Sequence, residues 1–119
     1  MEWELFAGLP VGDYPRAVGW YERLLGTSPT FHAHETECVW TLAEHRSIYV
    51  VLDPARAGHS QVTFFPDDLD RFVTAAASRG VHPDRTETFD NAVRKVTFID
   101  PDGNEIGVGG VVAEPSHAP

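Results

Sequence analysis

Cysteine is nearly absent from this sequence: Cys38 is the only one among 119 residues. A single thiol cannot close an intramolecular disulfide and cannot by itself build a thiolate zinc site, so neither device supports the fold. We interpret Cys38 as a half-buried structural thiol, because no nucleophile motif surrounds it. The fold must therefore depend on a hydrophobic core, for which 42% hydrophobic and 11% aromatic residues provide enough material.

Long apolar runs are also lacking. The apolar stretch at residues 48–52 is far shorter than the ~18 residues that a membrane helix needs. Residues 1–4 lack the basic start of a signal peptide. Glycine-rich phosphate loops, Gly-x-Ser-x-Gly elbows and dinucleotide fingerprints do not occur, which argues against those enzyme classes. These absences predict a cytoplasmic protein with no membrane partner.

Positive charge is scarce. Nine basic residues stand against 18 acidic ones, which gives a formal net charge of -9 at pH 7. This charge opposes the phosphate contacts that nucleic-acid binding requires, so we expect no nucleic-acid partner. The acidity mildly favours a cationic ligand, but a solvated acidic surface is the commoner explanation.

The first helix signal begins at Asp13. This side chain can cap a helix that starts at Pro15, because proline lacks only an N–H that the first turn leaves unpaired. Apolar side chains then recur at three- and four-residue steps until Gly26 supplies a stop. The pattern predicts a helix over residues 15–25.

A second helix signal repeats this plan 55 residues later, after Asp68 and before Gly80. The offset that aligns Asp13 with Asp68 also aligns Arg16 with Arg71. An internal repeat of this kind indicates two modules with the same plan.

Around the helices the hydrophobic period falls to two, which is typical of strands separated by Pro, Gly, Asp and Asn. The predicted strands cover residues 4–9, 31–34, 38–43, 47–52, 61–65, 85–89, 93–99 and 105–111. The order is one strand, one helix and three strands, twice over. The sequence therefore predicts an α+β fold of two tandem βαβββ modules.

The predicted domain spans residues 1–113, with one module at about 1–55 and the other at about 56–113. A module of this size could hardly bury its own small sheet, so we expect the two to pack into a single domain. Residues 114–119 predict a flexible tail.

Three runs of sequence, taken in this order and separation, resemble a known superfamily. They are DYPRAVGWYERLLG, DDLDRFVTAAASRGV and FIDPDGNEIGV. Together with the internal repeat they are similar to the glyoxalase, bleomycin-resistance and extradiol-dioxygenase superfamily, also called vicinal oxygen chelate proteins. The resemblance implies paired modules whose sheets curve around a shared cleft that a second subunit often completes, so we expect a homodimer.

The resemblance also implies four positions for a divalent metal site. Alignment to the family pattern assigns these positions to Phe6, Tyr49, Gln61 and Gly107, and the residue that the family usually has at the last of them is a glutamate. They offer one amide oxygen, one phenol and two groups with no side-chain donor, whereas a catalytic site generally needs at least three good N or O ligands. We therefore expect no metal and no other cofactor.

An unconventional divalent metal site stays open as an alternative. A shift of one residue would bring in Glu105 beside Gln61, although such a shift reverses the faces of a strand. His32 and His34 alternate, so on a regular strand both face one way and could hold a metal. The favoured interpretation of the two histidines is an exposed or cleft-lining strand.

Side chains that share a strand face with these four positions predict the lining of a cleft. That predicted lining consists of Phe6, Tyr49, Gln61, Thr63, Phe65, Lys95, Thr97 and Gly107. An aromatic and weakly polar surface of this kind suits a flat organic ligand. The alternative is that Phe6 and Tyr49 fill the space and close the core. Trp40 falls on the opposite face and is expected to pack under a helix.

Fold alone does not decide function in this superfamily. The leading hypothesis is a metal-free, homodimeric protein that binds and sequesters a small aromatic or cationic compound without changing it. The alternative is an enzyme: a metal-dependent lyase, isomerase or dioxygenase with an unconventional ligand set, or a metal-free catalyst.

Overall fold

The computed structural model describes residues 1–111, and the prediction of two tandem βαβββ modules in an α+β fold is confirmed for them. Residues 112–113 of the second predicted module and the predicted tail at 114–119 lie outside the described residues. The ends of the predicted strands differ from the observed ones by no more than two residues. The elements in chain order are β1 (Leu5–Val11), α1 (Tyr14–Leu25), β2 (Phe31–His34), β3 (Glu37–Ala43), β4 (Arg46–Leu52), β5 (Gln61–Phe64), α2 (Leu69–Ser78), β6 (Arg85–Thr88), β7 (Val93–Ile99) and β8 (Glu105–Val111).

Both helices begin at the predicted aspartate caps. The Asp13 side chain accepts a hydrogen bond from the backbone N–H of Arg16 at 3.2 Å, and Asp68 accepts one from Arg71 at 3.0 Å. Gly26 ends α1 in the left-handed conformation, with a φ of 78°, which glycine adopts without steric cost. Neither helix in residues 1–111 is long and apolar enough to cross a membrane.

Each module folds its strands into one mixed sheet. The first sheet has the order β1-β4-β3-β2 and the second the order β5-β8-β7-β6. The first and last strands of each module pair in parallel, and the other neighbours pair antiparallel. Side chains alternate between the two faces of a sheet. One face packs into the core, and we call the other the front face.

The core is shared between the modules. A single cluster of buried residues joins Leu9, Trp40 and Ile48 of the first module to Phe98 and Ile106 of the second. The helices contribute buried side chains to the same cluster. The two sheets are therefore held by one hydrophobic interior, and the front face of each sheet points away from it.

A buried carboxylate joins the modules beside this core. Asp100 is 3% exposed and lies in the turn between β7 and β8. Its oxygens accept five hydrogen bonds: three from the backbone N–H groups of Asp102, Gly103 and Asn104, one from the Asn104 side chain and one from the Tyr21 hydroxyl at 2.7 Å. Tyr21 belongs to α1 of the first module, so the turn binds across the junction. Burial and the nearby Asp100 charge raise the pKa of Tyr21 well above its usual range, which keeps the phenol a donor.

Two further contacts extend the junction. The Asn104 side chain donates to the Pro10 carbonyl of β1 at 2.8 Å and accepts from the backbone N–H of Ser60 at 3.0 Å. On the helices, the Arg79 guanidinium that follows α2 donates to carbonyl groups at the end of α1, including that of Leu24 at 3.2 Å. A cation at the end of a helix also interacts favourably with its dipole.

We expect the bond between Tyr21 and Asp100 to be a measurable part of the stability. Tyr21→Phe should lower the free energy of unfolding by about 1.5–3 kcal/mol, the range for a hydrogen bond to a charged group. In an Asp100→Asn background, Tyr21→Phe should lower the free energy of unfolding by clearly less, because the charged acceptor of the hydroxyl is already absent. Urea denaturation of the two single variants and the double variant measures this coupling.

Tyr49→Phe is the matched control, since the Tyr49 hydroxyl makes no hydrogen bond to a residue in 1–111, and it should leave stability within about 0.5 kcal/mol. Equal losses for Tyr21→Phe in both backgrounds would show that the hydroxyl does not act through Asp100.

Candidate functional site

The predicted cleft residues fall into two groups on two separate sheets. Phe6 and Tyr49 lie on the front face of the first sheet, where β1 pairs with β4. The other six belong to the front face of the second sheet: Gln61, Thr63 and the adjoining Phe65 along β5, Lys95 and Thr97 on β7, and Gly107 on β8. The structure thus gathers each group on its own sheet, and no strand within residues 1–111 hydrogen-bonds the two sheets together.

On the first sheet, the Tyr49 side chain covers Gly8. The two residues stand opposite each other in the register of β1 and β4. A methyl group at Gly8 would lie 2.5 Å from the Tyr49 hydroxyl oxygen, so the phenol occupies the space that a larger residue would take. Phe6, two residues before Gly8, stays 49% exposed. This face therefore presents two aromatic rings: the half-buried ring of Tyr49, which lies over Gly8, and the exposed ring of Phe6.

On the second sheet, two glycines form a floor. Gly107 and Gly109 alternate along β8, and we call this pair the glycine floor. A methyl group at Gly107 would lie 2.6 Å from Cε of Lys95 and 2.7 Å from Oγ1 of Thr63. A methyl group at Gly109 would meet the Phe65 ring at 2.6–2.9 Å. Three side chains from the neighbouring strands therefore lie on the floor: an ammonium-bearing chain, a hydroxyl and a ring.

The charges around the glycine floor are unequally paired. Arg85 on β6 donates to Glu105 at 2.6 Å and lies 3.7 Å from Glu87, and these contacts raise the pKa of Arg85, chiefly through the hydrogen bond to Glu105. No carboxylate in residues 1–111 lies within 4.0 Å of the Lys95 ammonium. Thr97 is 1% exposed, and its hydroxyl oxygen has no hydrogen-bond partner in this part of the chain.

The four positions that the resemblance assigns to a divalent metal do not fit one. Gly107 carries no donor atom, and the methylene chain of Lys95 takes its place. Phe6 has no donor either, and Tyr49 lies on the other sheet from Gln61. Across residues 1–111 no group of three or more His, Cys, Asp or Glu side chains is placed to hold a metal ion. The donor set therefore falls short of the three good ligands that such a site needs.

The alternative metal ligands lie on different sheets: Gln61 and Glu105 on the second, and His32 and His34 on the first. Gln61 and Glu105 are direct partners in the register of β5 and β8, but Glu105 already accepts a hydrogen bond from Arg85. His32 and His34 lie on β2, the edge strand of the first sheet.

The strand that carries the two histidines is irregular between them. A register shift between them sets His32 opposite Cys38 and His34 opposite Glu37, so the regular alternation is broken at this point. The His34 imidazole lies 3.4 Å from the Glu37 carboxylate. The two histidines therefore do not form the regular pair that the spacing predicts.

Cys38 is a core residue. It is fully buried, more deeply than the sequence predicts, and burial raises the pKa of its thiol. A buried thiol with a raised pKa is a poor nucleophile, which supports the structural interpretation.

Sequence reasoning missed a cavity of about 610 Å³ between the modules. Its walls include Ala7, Trp40 and Ile48 from the first module and Phe64 and Phe72 from the second. Trp40 is 1% exposed, as its expected position under a helix requires, and its indole N–H donates to the Thr27 carbonyl after α1. Strand alternation assigns side chains to faces, but it does not give the distance between two modules, so no local signal could reveal this space.

The cavity adjoins the second front face. Thr63 and Phe65 contribute to its rim, and Phe65 is 59% exposed. The same ring therefore borders both the glycine floor and the cavity.

Comparison with known proteins finds solved structures at both high and low sequence identity to this chain. A glyoxalase/bleomycin resistance protein from Catenulispora acidiphila, known as a crystal structure, shares 50% sequence identity and a TM-score of 0.89 over 92% of this chain and 99% of its own. No curated protein matches the sequence.

Two distant structures share the fold alone. A bleomycin-binding protein complexed with bleomycin has 19% identity and a TM-score of 0.72, over 93% of this chain and 98% of its own. A lactoylglutathione lyase from Agrobacterium tumefaciens has 16% identity and a TM-score of 0.71, over 88% and 90%.

The model of one family covers nearly all of the sequence. It matches residues 5–108, which include both modules and each of the three runs that carry the resemblance. The chain therefore belongs to the Glyoxalase/Bleomycin resistance protein/Dioxygenase superfamily.

Proposed function

We propose that this protein binds and sequesters a small aromatic compound, without a metal ion and without changing the compound. One observation carries the proposal: the front faces hold open aromatic rings, and one of them, Phe6, stands at a position where the resemblance implies a metal ligand. Phe6 and Phe65 are 49% and 59% exposed, and the outer edge of the Phe65 ring lies over Gly109. A ring supported by glycine offers a stacking surface to a flat molecule.

The donor chemistry supports binding over metal-dependent catalysis. Two of the four implied ligand positions, Phe6 and Gly107, have no side-chain donor atom. The methylene chain of Lys95 occupies the space beside Gly107. A divalent ion would have to compete with the positive ammonium group of that lysine. The relatives include both a bleomycin-binding protein and a lyase, so their fold favours neither function.

A metal-dependent lyase, isomerase or dioxygenase remains the second candidate. The direct pairing of Gln61 with Glu105 favours it, because these two side chains could supply oxygen ligands from adjacent strands. Glu105 would first have to release Arg85, to which it is bound at 2.6 Å.

We also propose that the functional form is a cytoplasmic homodimer. In a single chain Trp3, Leu5 and Phe6 are 76%, 63% and 49% exposed, and the front faces are open. Large exposed apolar side chains on a small protein favour association, and a second copy that covers Phe6 would close each front face into a cleft. Sedimentation velocity should therefore give a mass about twice that of the 13.1 kDa chain, and a monomer at micromolar concentration would contradict this.

A library of flat aromatic compounds, screened by thermal shift, tests the binding function. We expect at least one compound to raise the melting temperature and to be recovered unchanged, as judged by mass spectrometry. Phe65→Ala should weaken its binding about tenfold, because the stacking surface over Gly109 is lost.

Leu52→Ala is the control, since Leu52 is an exposed apolar residue at the far end of β4 and should leave affinity unaltered. Chemical conversion of the bound compound would establish an enzyme instead. The absence of any aromatic ligand would refute the proposal.

A further inference from the structure

We infer that the ligand carries an anionic oxygen and that the Lys95 ammonium binds it. This inference rests on the proposed function and adds the charge of the compound. Lys95 is the only lysine in the sequence, beside eight arginines. It lies on β7 in the second sheet, partly buried, and shares the front face with Thr63 and Phe65.

The positive charge of Lys95 is locally available. Its direct neighbour across the strand pair is Glu87, but the two charged groups lie more than 4.0 Å apart, and Glu87 faces Arg85 at 3.7 Å. The other carboxylate of this face, Glu105, is bound to Arg85 at 2.6 Å. One arginine thus engages both acids, and the lysine ammonium has no carboxylate partner in residues 1–111.

The surrounding groups suit an anionic aromatic molecule. The Lys95 chain and the Thr63 hydroxyl converge on Gly107, so an ammonium and an O–H donor are available at one point of the glycine floor. The Phe65 ring lies over Gly109, which is two residues along the strand and hence about 7 Å away. A carboxylate or phenolate held at Gly107 would place an attached ring of bicyclic size against Phe65.

The lysine supplies a positive charge at a place where the family pattern implies a bound divalent cation. The resemblance implies a glutamate at the position of Gly107, where it would hold a divalent cation. Here the acid is missing, and its absence allows the Lys95 chain to lie across the strand. The chain itself therefore brings a fixed positive charge to this face, and a positive charge selects a negative ligand.

The net charge of -9 points the other way, because it favours cations. Local charge decides at contact distance, since salt at physiological strength screens exposed charges beyond about 8 Å. A group that touches Lys95 is within this distance, and the carboxylates of Glu87 and Glu105 on the same face are engaged by Arg85. A preference for an anion would therefore appear against the overall charge of the protein.

Three naphthalene probes of matched shape test the inference: 2-naphthoate, 2-naphthamide and 2-naphthylmethylammonium. Calorimetric titration of the full chain at about 150 mM salt limits the influence of distant charges. We expect 2-naphthoate to bind about tenfold or more tightly than the amide, and the ammonium compound to bind most weakly. Lys95→Met, which removes the ammonium group and keeps a flexible chain one atom shorter, should remove the preference for 2-naphthoate and leave binding of the amide within about twofold.

Arg94→Met is the matched control. Arg94 is the adjacent residue and its loss changes the net charge equally, but it points to the opposite face and pairs with Asp70. This variant should keep the order of the three probes. A preference for 2-naphthoate that disappears equally in both variants would overturn the role of Lys95.

Reductive methylation with ¹³C-formaldehyde gives a second measurement that needs no variant. It labels only the Lys95 amine and the amino terminus, because there is no other lysine. The lysine signal should shift on titration with 2-naphthoate and not with the amide. Equal affinity for 2-naphthoate and 2-naphthamide, or an unmoved lysine signal, would overturn the inference and leave the binding function in place. Failure of all three probes to bind would count against the proposed function as well.

Discussion

The buried carboxylate of Asp100 fixes how the two modules meet. A charge that is 3% exposed is stable only when its oxygens are fully hydrogen-bonded, and this one accepts five hydrogen bonds. One of the donors, Tyr21, belongs to the other module. The turn that closes β7 and β8 is therefore also a joint, and the neighbouring Asn104 adds bonds to β1 and β5. The orientation of both sheets, and hence of their front faces, follows from this joint.

The front faces show what this chain has placed where the family pattern implies a metal. Glycine stands at the expected acid, and the side chains of neighbouring strands lie in the vacated space: Lys95 and Thr63 over Gly107, and Phe65 over Gly109. Glycine at position 107 removes a metal ligand and makes room for a cation, and glycine at position 109 makes room for a ring. The packing on β8 thus connects three features of this face: a missing metal ligand, a stacking surface and a positive charge.

Local signals explain why so much of the fold could be predicted. The caps at Asp13 and Asp68 depend only on residues within one helical turn, and they lie where the sequence indicates. Strand alternation assigned Thr63, Lys95 and Gly107 to one face because side chains alternate along every regular strand. The regular alternation failed at His34, where a register shift in β2 breaks the period.

Contacts between distant segments could not be predicted in this way. The bond between Tyr21 and Asp100 joins residues 79 positions apart, and nothing in the sequence around either residue specifies the other. The cavity beside Trp40 exists because two modules meet at a particular distance. The division of the candidate site between two sheets has the same origin, since periodicity assigns faces within a sheet and not the placement of one sheet relative to another.

Metal content tests the central claim, a ligand-binding face built without a metal ion, most directly. The protein should be purified without a histidine tag or chelator, analysed for metals, and then titrated with divalent manganese, iron, nickel and zinc while its melting temperature is followed. We expect no stoichiometric metal and no specific rise in melting temperature. One bound ion per chain that adds about 2.7 kcal/mol of stability at a hundredfold excess over its dissociation constant, and that is lost in Gln61→Ala, would contradict the account and establish a metal site.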